Sequence, residues 1–165
     1  MRQILTVANK EFHDGLRNRW LVSITLIFAL LSIGLTYFGA AASGAVGVTS
    51  LSTTVASLAS LAVFLIPLIA LLLSYDSFVG EQESGTLLLL LTYPLSKSQL
   101  LLGKFIGQGS IIALATLIGF GASAVLLYFQ SENSQIFMSF SVFILSAILL
   151  GLSFTAISYL ISLSV

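Results

Sequence analysis

Apolar and polar positions divide the chain into a short amphipathic segment, three long apolar runs and one mixed central stretch. Over residues 1–19 the apolar positions recur at helical spacing. Met1, Ile4, Leu5, Ala8, Phe12 and Leu16 share one arc, while Arg2, Thr6, Lys10, His13, Asp14 and Arg17 fill the opposite one. This pattern predicts a helix lying in a membrane interface, with Ile4, Leu5, Phe12 and Leu16 towards the acyl boundary and basic residues, among them Arg17 and Arg19, towards the headgroups. Uncharged runs then extend over Leu21–Tyr75, Phe105–Ser131 and Asn133–Val165. A membrane-crossing helix needs about 20 mostly apolar residues, so two spans fit the first run and one fits each of the others. They are expected at residues 20–39, 55–74, 105–128 and 136–160. The runs lack the alternation of barrel strands, so the predicted fold is all-α and polytopic.

Local signals refine these elements. Residues 40–54 form an uncharged, small-residue loop. Ala40, Ala41 and Ala42 resemble a signal-peptide cleavage site, but the apolar stretch before them exceeds the usual length of about 7–15 residues, so the span is read as retained. Pro67 lies in the second span, where it offers no donor to the Val63 carbonyl, and a kink is expected there. Ser96 and Gln99 have capping-box spacing just before Leu100, which predicts that the third helix starts near Lys97. Gly103 and Gly107 stand four apart and predict a close helix contact.

Composition agrees with this picture and narrows the chemistry. Hydrophobic residues make up 58% of the chain and charged residues 7%, against about 25% charged in soluble proteins. All six Lys and Arg residues fall in residues 1–19 or in the central stretch 75–104. The positive-inside rule therefore places both on the cytoplasmic side of a bacterial inner membrane. Tyr37, Phe38, Tyr128 and Phe129 mark the outer interface, and Trp20, Tyr75 and Tyr93 the inner one. None of the four predicted spans contains an ionisable residue, which argues against a transporter powered by its own ion relay. The chain has no cysteine, two methionines (Met1 and Met138) and a single histidine, His13, read as an ordinary polar-face residue. No zinc motif or phosphate-cradling glycine loop occurs. Catalytic, cofactor-binding and metal residues are accordingly not expected, nor is a nucleic-acid partner.

The central stretch holds the remaining signal. Glu81 and Glu83 are followed by Gly85 and Thr86, then by the leucine run Leu87–Leu91, and Pro94 ends it. The run is too short to cross lipid, so it either fills a groove on a partner, oriented by the flanking carboxylates, or folds back on its own helices.

The spacing Glu81, Gly85-Thr86-Leu87, Pro94 and Gly103-Lys104 resembles the first cytosolic loop of type-2 ABC transporter permeases (the ABC-2 family), and residues 1–19 resemble that family's elbow helix. The resemblance implies that the loop is a coupling helix docking on a separate cytosolic ATPase. Glu81, Glu83, Gly85, Thr86, Leu87, Leu88, Leu91 and Pro94 would form that contact, and ATP and magnesium would bind the ATPase rather than this chain. Within the family, Asp14–Trp20, Ala40–Gly44, Ala56–Ala62, Pro67–Leu73 and Leu89–Leu95 are similar to permeases serving maturation of the copper-sulfide centre of nitrous-oxide reductase. That branch implies a homodimeric permease, a periplasmic accessory protein and a sulfur- or copper-related cargo. Such permeases have six spans, so the resemblance also implies two spans beyond the four read here. The competing expectation is a non-transporting membrane scaffold that recruits a cytosolic partner through the same central stretch.

Overall fold

The computed structural model describes residues 2–38, 51–75, 96–131 and 135–164. They form α1 (Arg2–Arg17), α2 (Arg19–Phe38), α3 (Leu51–Tyr75), α4 (Lys97–Ser131) and α5 (Gln135–Ser164), with no strand among the described residues. Four of these helices, α2 to α5, are long and apolar enough to cross a membrane, as the apolar runs predict. The central stretch from 76 to 95 lies outside the described residues, and with it the eight loop positions from Glu81 to Pro94.

The helix ends follow from named side chains. Asn18 separates α1 from α2: its backbone N–H donates to the Asp14 and Gly15 carbonyls, closing α1, and its side-chain oxygen accepts from the Trp20 N–H at 3.0 Å, capping α2. At the start of α4 the Gln99 N–H donates to Ser96 Oγ at 3.3 Å, while the Ser96 N–H donates to Gln99 Oε1 at 3.2 Å. This is the reciprocal capping box that the sequence spacing predicts. α3 remains helical through Pro67 to Tyr75.

α4 is the central helix. It packs on α1, α2 and α5, whereas α3 packs chiefly on α5. The neighbouring chain segments run antiparallel: Phe105 meets Tyr159 and Tyr128 meets Phe137 between α4 and α5, and Ser74 near the end of α3 reaches Gln108 of α4. Between these levels lies a buried cluster of Phe28, Leu58, Ile66, Phe120, Leu127 and Phe140. Glycines let large neighbours in. Gly119 leaves room for the Phe28 ring, which stacks edge-on against Phe120 at 4.8 Å between centroids. Gly151 likewise accommodates Ile112 and Ile66.

Several hydroxyls inside this apolar bundle are satisfied within their own helix, as a hydrocarbon surrounding favours. Thr36, Thr116 and Thr155 donate to the carbonyls of Ser32, Ile112 and Gly151, one turn back in their own helices. Ser32 and Ser123 share a buried hydrogen bond of 2.7 Å that ties α2 to α4. Outward positions such as Leu30, Phe64, Met138 and Leu160 are exposed apolar side chains suited to lipid.

Phe120→Ala should destabilise the bundle by roughly 3–5 kcal/mol through loss of a buried ring. Phe64→Ala, on the exposed face of α3, should change stability by less than about 0.5 kcal/mol. Thermal unfolding of the purified protein in detergent checks both, and an equal response at the two positions would contradict this packing.

Candidate functional site

The seam between α1 and the first half of α4 is where the sequence places close contact, charge and the flank of the central stretch together. Three contacts set its geometry: Val7 against Gly103, Glu11 against Gly107, and Gly15 against Ile111. Both helices advance in step through these pairs, so α1 runs alongside α4 in the same direction. The approach is close enough to reach the backbone. A Cβ at Gly103 would fall 3.0 Å from the Ile4 carbonyl oxygen, and one at Gly107 would fall 2.8 Å from that of Ala8. Glycine is required at both places for that reason, the small-residue packing expected of this pair.

The same seam buries a charge pair. Lys104 has no exposed surface, and its Nζ donates to Glu11 Oε1 at 3.0 Å. Glu11 also lies 3.4 Å from Lys10 Nζ, which in turn lies 3.3 Å from Asp14 Oδ2 at the exposed edge. A second polar pair sits one turn further along α4, where Ser74 Oγ donates to Gln108 Oε1 at 3.4 Å. Gln108 Nε2 is buried without a hydrogen-bond partner among the described residues.

These observations add the partner of one charge. Read from charge placement, Lys104 closes the central stretch, just before the span expected at residues 105–128. In the structure Lys104 is a fully buried residue of α4. The reason is physical: Glu11 arrives on α1 as a counter-charge, which a reading of α4 by itself does not supply. A sequence signal did exist. Val7, Glu11 and Gly15 share one helical face, as do Gly103 and Gly107, and the first face carries an acid where the second borders a base.

The other predicted interface residues lie around the seam. On α1, Leu5 and Leu16 are exposed and Ile4 and Phe12 are partly buried. Arg17 ends α1 and Arg19 begins α2, both exposed. The face seated on α4 is Val7, Ala8, Glu11 and Gly15, a set that the amphipathic arcs leave mostly unassigned. His13 is exposed and donates from Nδ1 to the Asn9 carbonyl at 2.9 Å.

Among the described residues no group of three or more His, Cys, Asp or Glu side chains is placed to hold a metal ion. A cleft of about 230 Å³ between α2 and α3 is lined almost wholly by apolar surface, including Trp20, Phe28, Leu65 and Leu72. At the α1–α4 seam the described residues form a tight, charge-keyed joint beside the start of α4. Because Ser74 aligns with Gln108, the start of α4 at Lys97 projects about 16 Å past the end of α3, at about 1.5 Å of rise per residue.

Comparison with known proteins adds the family. The model of the ABC-2 family transporter proteins matches residues 5–164. A protein of Pseudomonas aeruginosa described as "Probable ABC transporter permease protein NosY" is 58% identical over 165 residues, covering 98% of this chain and 60% of the relative. A protein of Stutzerimonas stutzeri with the same description is 56% identical over the same coverage. The chain thus spans 60% of the length of these curated relatives.

Removing Glu11 takes away the carboxylate that lies 3.0 Å from the buried Lys104 ammonium, so Glu11→Leu should cost roughly 3–5 kcal/mol. Lys104→Met should cost less, since Glu11 keeps Lys10, and the double variant should lie near the parent. Thermal unfolding in detergent of the three variants tests this order. A double variant as unstable as Glu11→Leu would contradict the pairing.

Proposed function

This chain belongs to the ABC-2 family of transporters, and from that premise we propose that it is membrane-spanning permease sequence of an ABC transporter, driven by ATP hydrolysis on a separate chain. The observation that carries the reading is the family match over residues 5–164 together with four apolar helices long enough to cross a membrane. In this reading the chain is not itself an enzyme, and ATP and magnesium belong to the partner ATPase. The protein sits in the bacterial inner membrane with α1 and the central stretch on the cytoplasmic side, as the placement of all six Lys and Arg residues favours.

The central stretch is the contact with the ATPase. It enters from the end of α3 and leaves through the capped, projecting start of α4, which gives a push on the stretch a direct path into the central helix. Glu81 and Glu83 orient the contact, Gly85 and Thr86 permit the turn, Leu87, Leu88 and Leu91 fill the partner's groove, and Pro94 ends the segment. A second copy of the permease completes the translocation path, and a periplasmic accessory protein receives what is exported.

The finer reading of the cargo is a sulfur- or copper-related species used to mature the copper centre of nitrous-oxide reductase. It is supported by the NosY-named relatives at 58% and 56% identity over 98% of this chain. The lack of cysteine and the scarcity of Met and His favour the sulfur species over direct handling of copper.

In the full-length permease with its ATPase, Glu81→Ala and Gly85→Trp should uncouple ATP hydrolysis from reductase maturation and leave membrane insertion unchanged. Wild-type coupling in both variants would overturn the assignment of the contact. A complex that binds the ATPase yet shows no ATP-dependent movement of its spans would instead be a scaffold.

A further inference from the structure

We infer that Glu11 and Lys104 are positioning residues that make α1 and the first half of α4 a single moving body, so that displacement of the central stretch carries α1 with α4. The inference rests on the permease reading above and adds to it which elements move together.

The packing divides the bundle in a way the chain order does not. α3 and α4 flank the central stretch, yet they pack mainly on other helices, α3 on α5 and α4 on α1, α2 and α5. Their described polar link is the single, long Ser74–Gln108 hydrogen bond of 3.4 Å. A push delivered between them therefore meets little resistance to moving α4 relative to α3. The α1–α4 seam is the opposite case. Val7 and Glu11 seat their side chains directly over Gly103 and Gly107, and the Ile4 and Ala8 carbonyls close on the same two positions, so the helices are keyed together there. The centre of the seam is the Glu11–Lys104 pair, and sliding by one turn would break the 3.0 Å contact between a fully buried ammonium and its carboxylate.

The joint also has a continuation. α1 passes through the Asn18 cap directly into α2, and α2 holds the far half of α4 through Phe28 at Gly119 and through the Ser32–Ser123 hydrogen bond. α1, α2 and α4 are thus joined along one side of α4 by two tight seams, and the charge pair keys the seam nearer the central stretch. Lys10 and Asp14 at the exposed edge extend the charge network over Glu11.

The absence of cysteine in this sequence allows labels to be placed without background in these segments. Spin-label distances would be measured in the full-length permease with its ATPase, reconstituted in lipid nanodiscs, with and without trapped ATP. The label pair at the exposed Leu5 and Leu102 reports on the seam, and the pair at the exposed Leu72 and Leu102 reports on α3 against α4. The Leu5–Leu102 distance should stay constant between nucleotide states while the Leu72–Leu102 distance changes. Lys104→Met should broaden the Leu5–Leu102 distribution and lower the coupling of ATP hydrolysis to transport about tenfold. Lys104→Arg should keep both near wild type, and the exchange Glu11→Lys with Lys104→Glu should recover much of the loss. A nucleotide-dependent Leu5–Leu102 distance, or wild-type coupling in Lys104→Met, would overturn the inference while leaving the permease reading intact. Failure of any ATPase to bind the full-length chain would overturn both.

Discussion

An ammonium with no access to water persists in an apolar bundle only if a carboxylate is brought to it, and Lys104 is such a group. The rest of this fold can be traced from how Glu11 reaches it. Glu11 sits on α1, so α1 must lie against α4 at hydrogen-bonding distance. That demands glycine at positions 103 and 107, because the Ile4 and Ala8 carbonyls occupy the space of a side chain. Close approach and charge are therefore two parts of one constraint. The pair is weak evidence for net stability, since desolvating two ions offsets much of their attraction. Its effect is on register: the observed alignment of the two helices brings Glu11 to Lys104 at 3.0 Å.

Further into the bundle the same problem of polar groups in an apolar surrounding has a quieter solution. Hydroxyls of Thr36, Thr116 and Thr155 return to their own helix, so they place no demand on a neighbouring helix. Contacts between helices there are made by shape, with rings of Phe28, Phe120 and Phe143 set against glycines and small residues. Ser32 and Ser123 bridge α2 and α4 by a hydrogen bond between side chains. The described structure thus has a charge-keyed end, where α1 meets α4, and an apolar, shape-packed remainder.

The chain belongs to the ABC-2 family, and α4 is the element around which its described helices are arranged. It has a reciprocal capping box at its start, a length of 35 residues without interruption, and contacts with α1, α2 and α5. α3, which precedes the central stretch, packs chiefly on α5.

The all-α class, the four apolar helices and the capped start of α4 were legible in the sequence because each depends on local chemistry. Uncharged runs of sufficient length have few alternatives in lipid, and Ser96 with Gln99 closes a turn using its own backbone. The Gly103 and Gly107 contact was legible as a contact, although its partner was not. What only the tertiary structure decided was the pairing of α1 with α4. Lys104 read as the last charge of a polar stretch, and Glu11 fell between the two arcs of an amphipathic helix. Neither residue reveals its burial alone, since the energy of a buried charge depends on a counter-charge 93 positions away in the chain. The sequence by itself determined which segments could enter the membrane. The structure determined which of them are fastened together, because fastening is a property of two surfaces and each surface looks ordinary without the other.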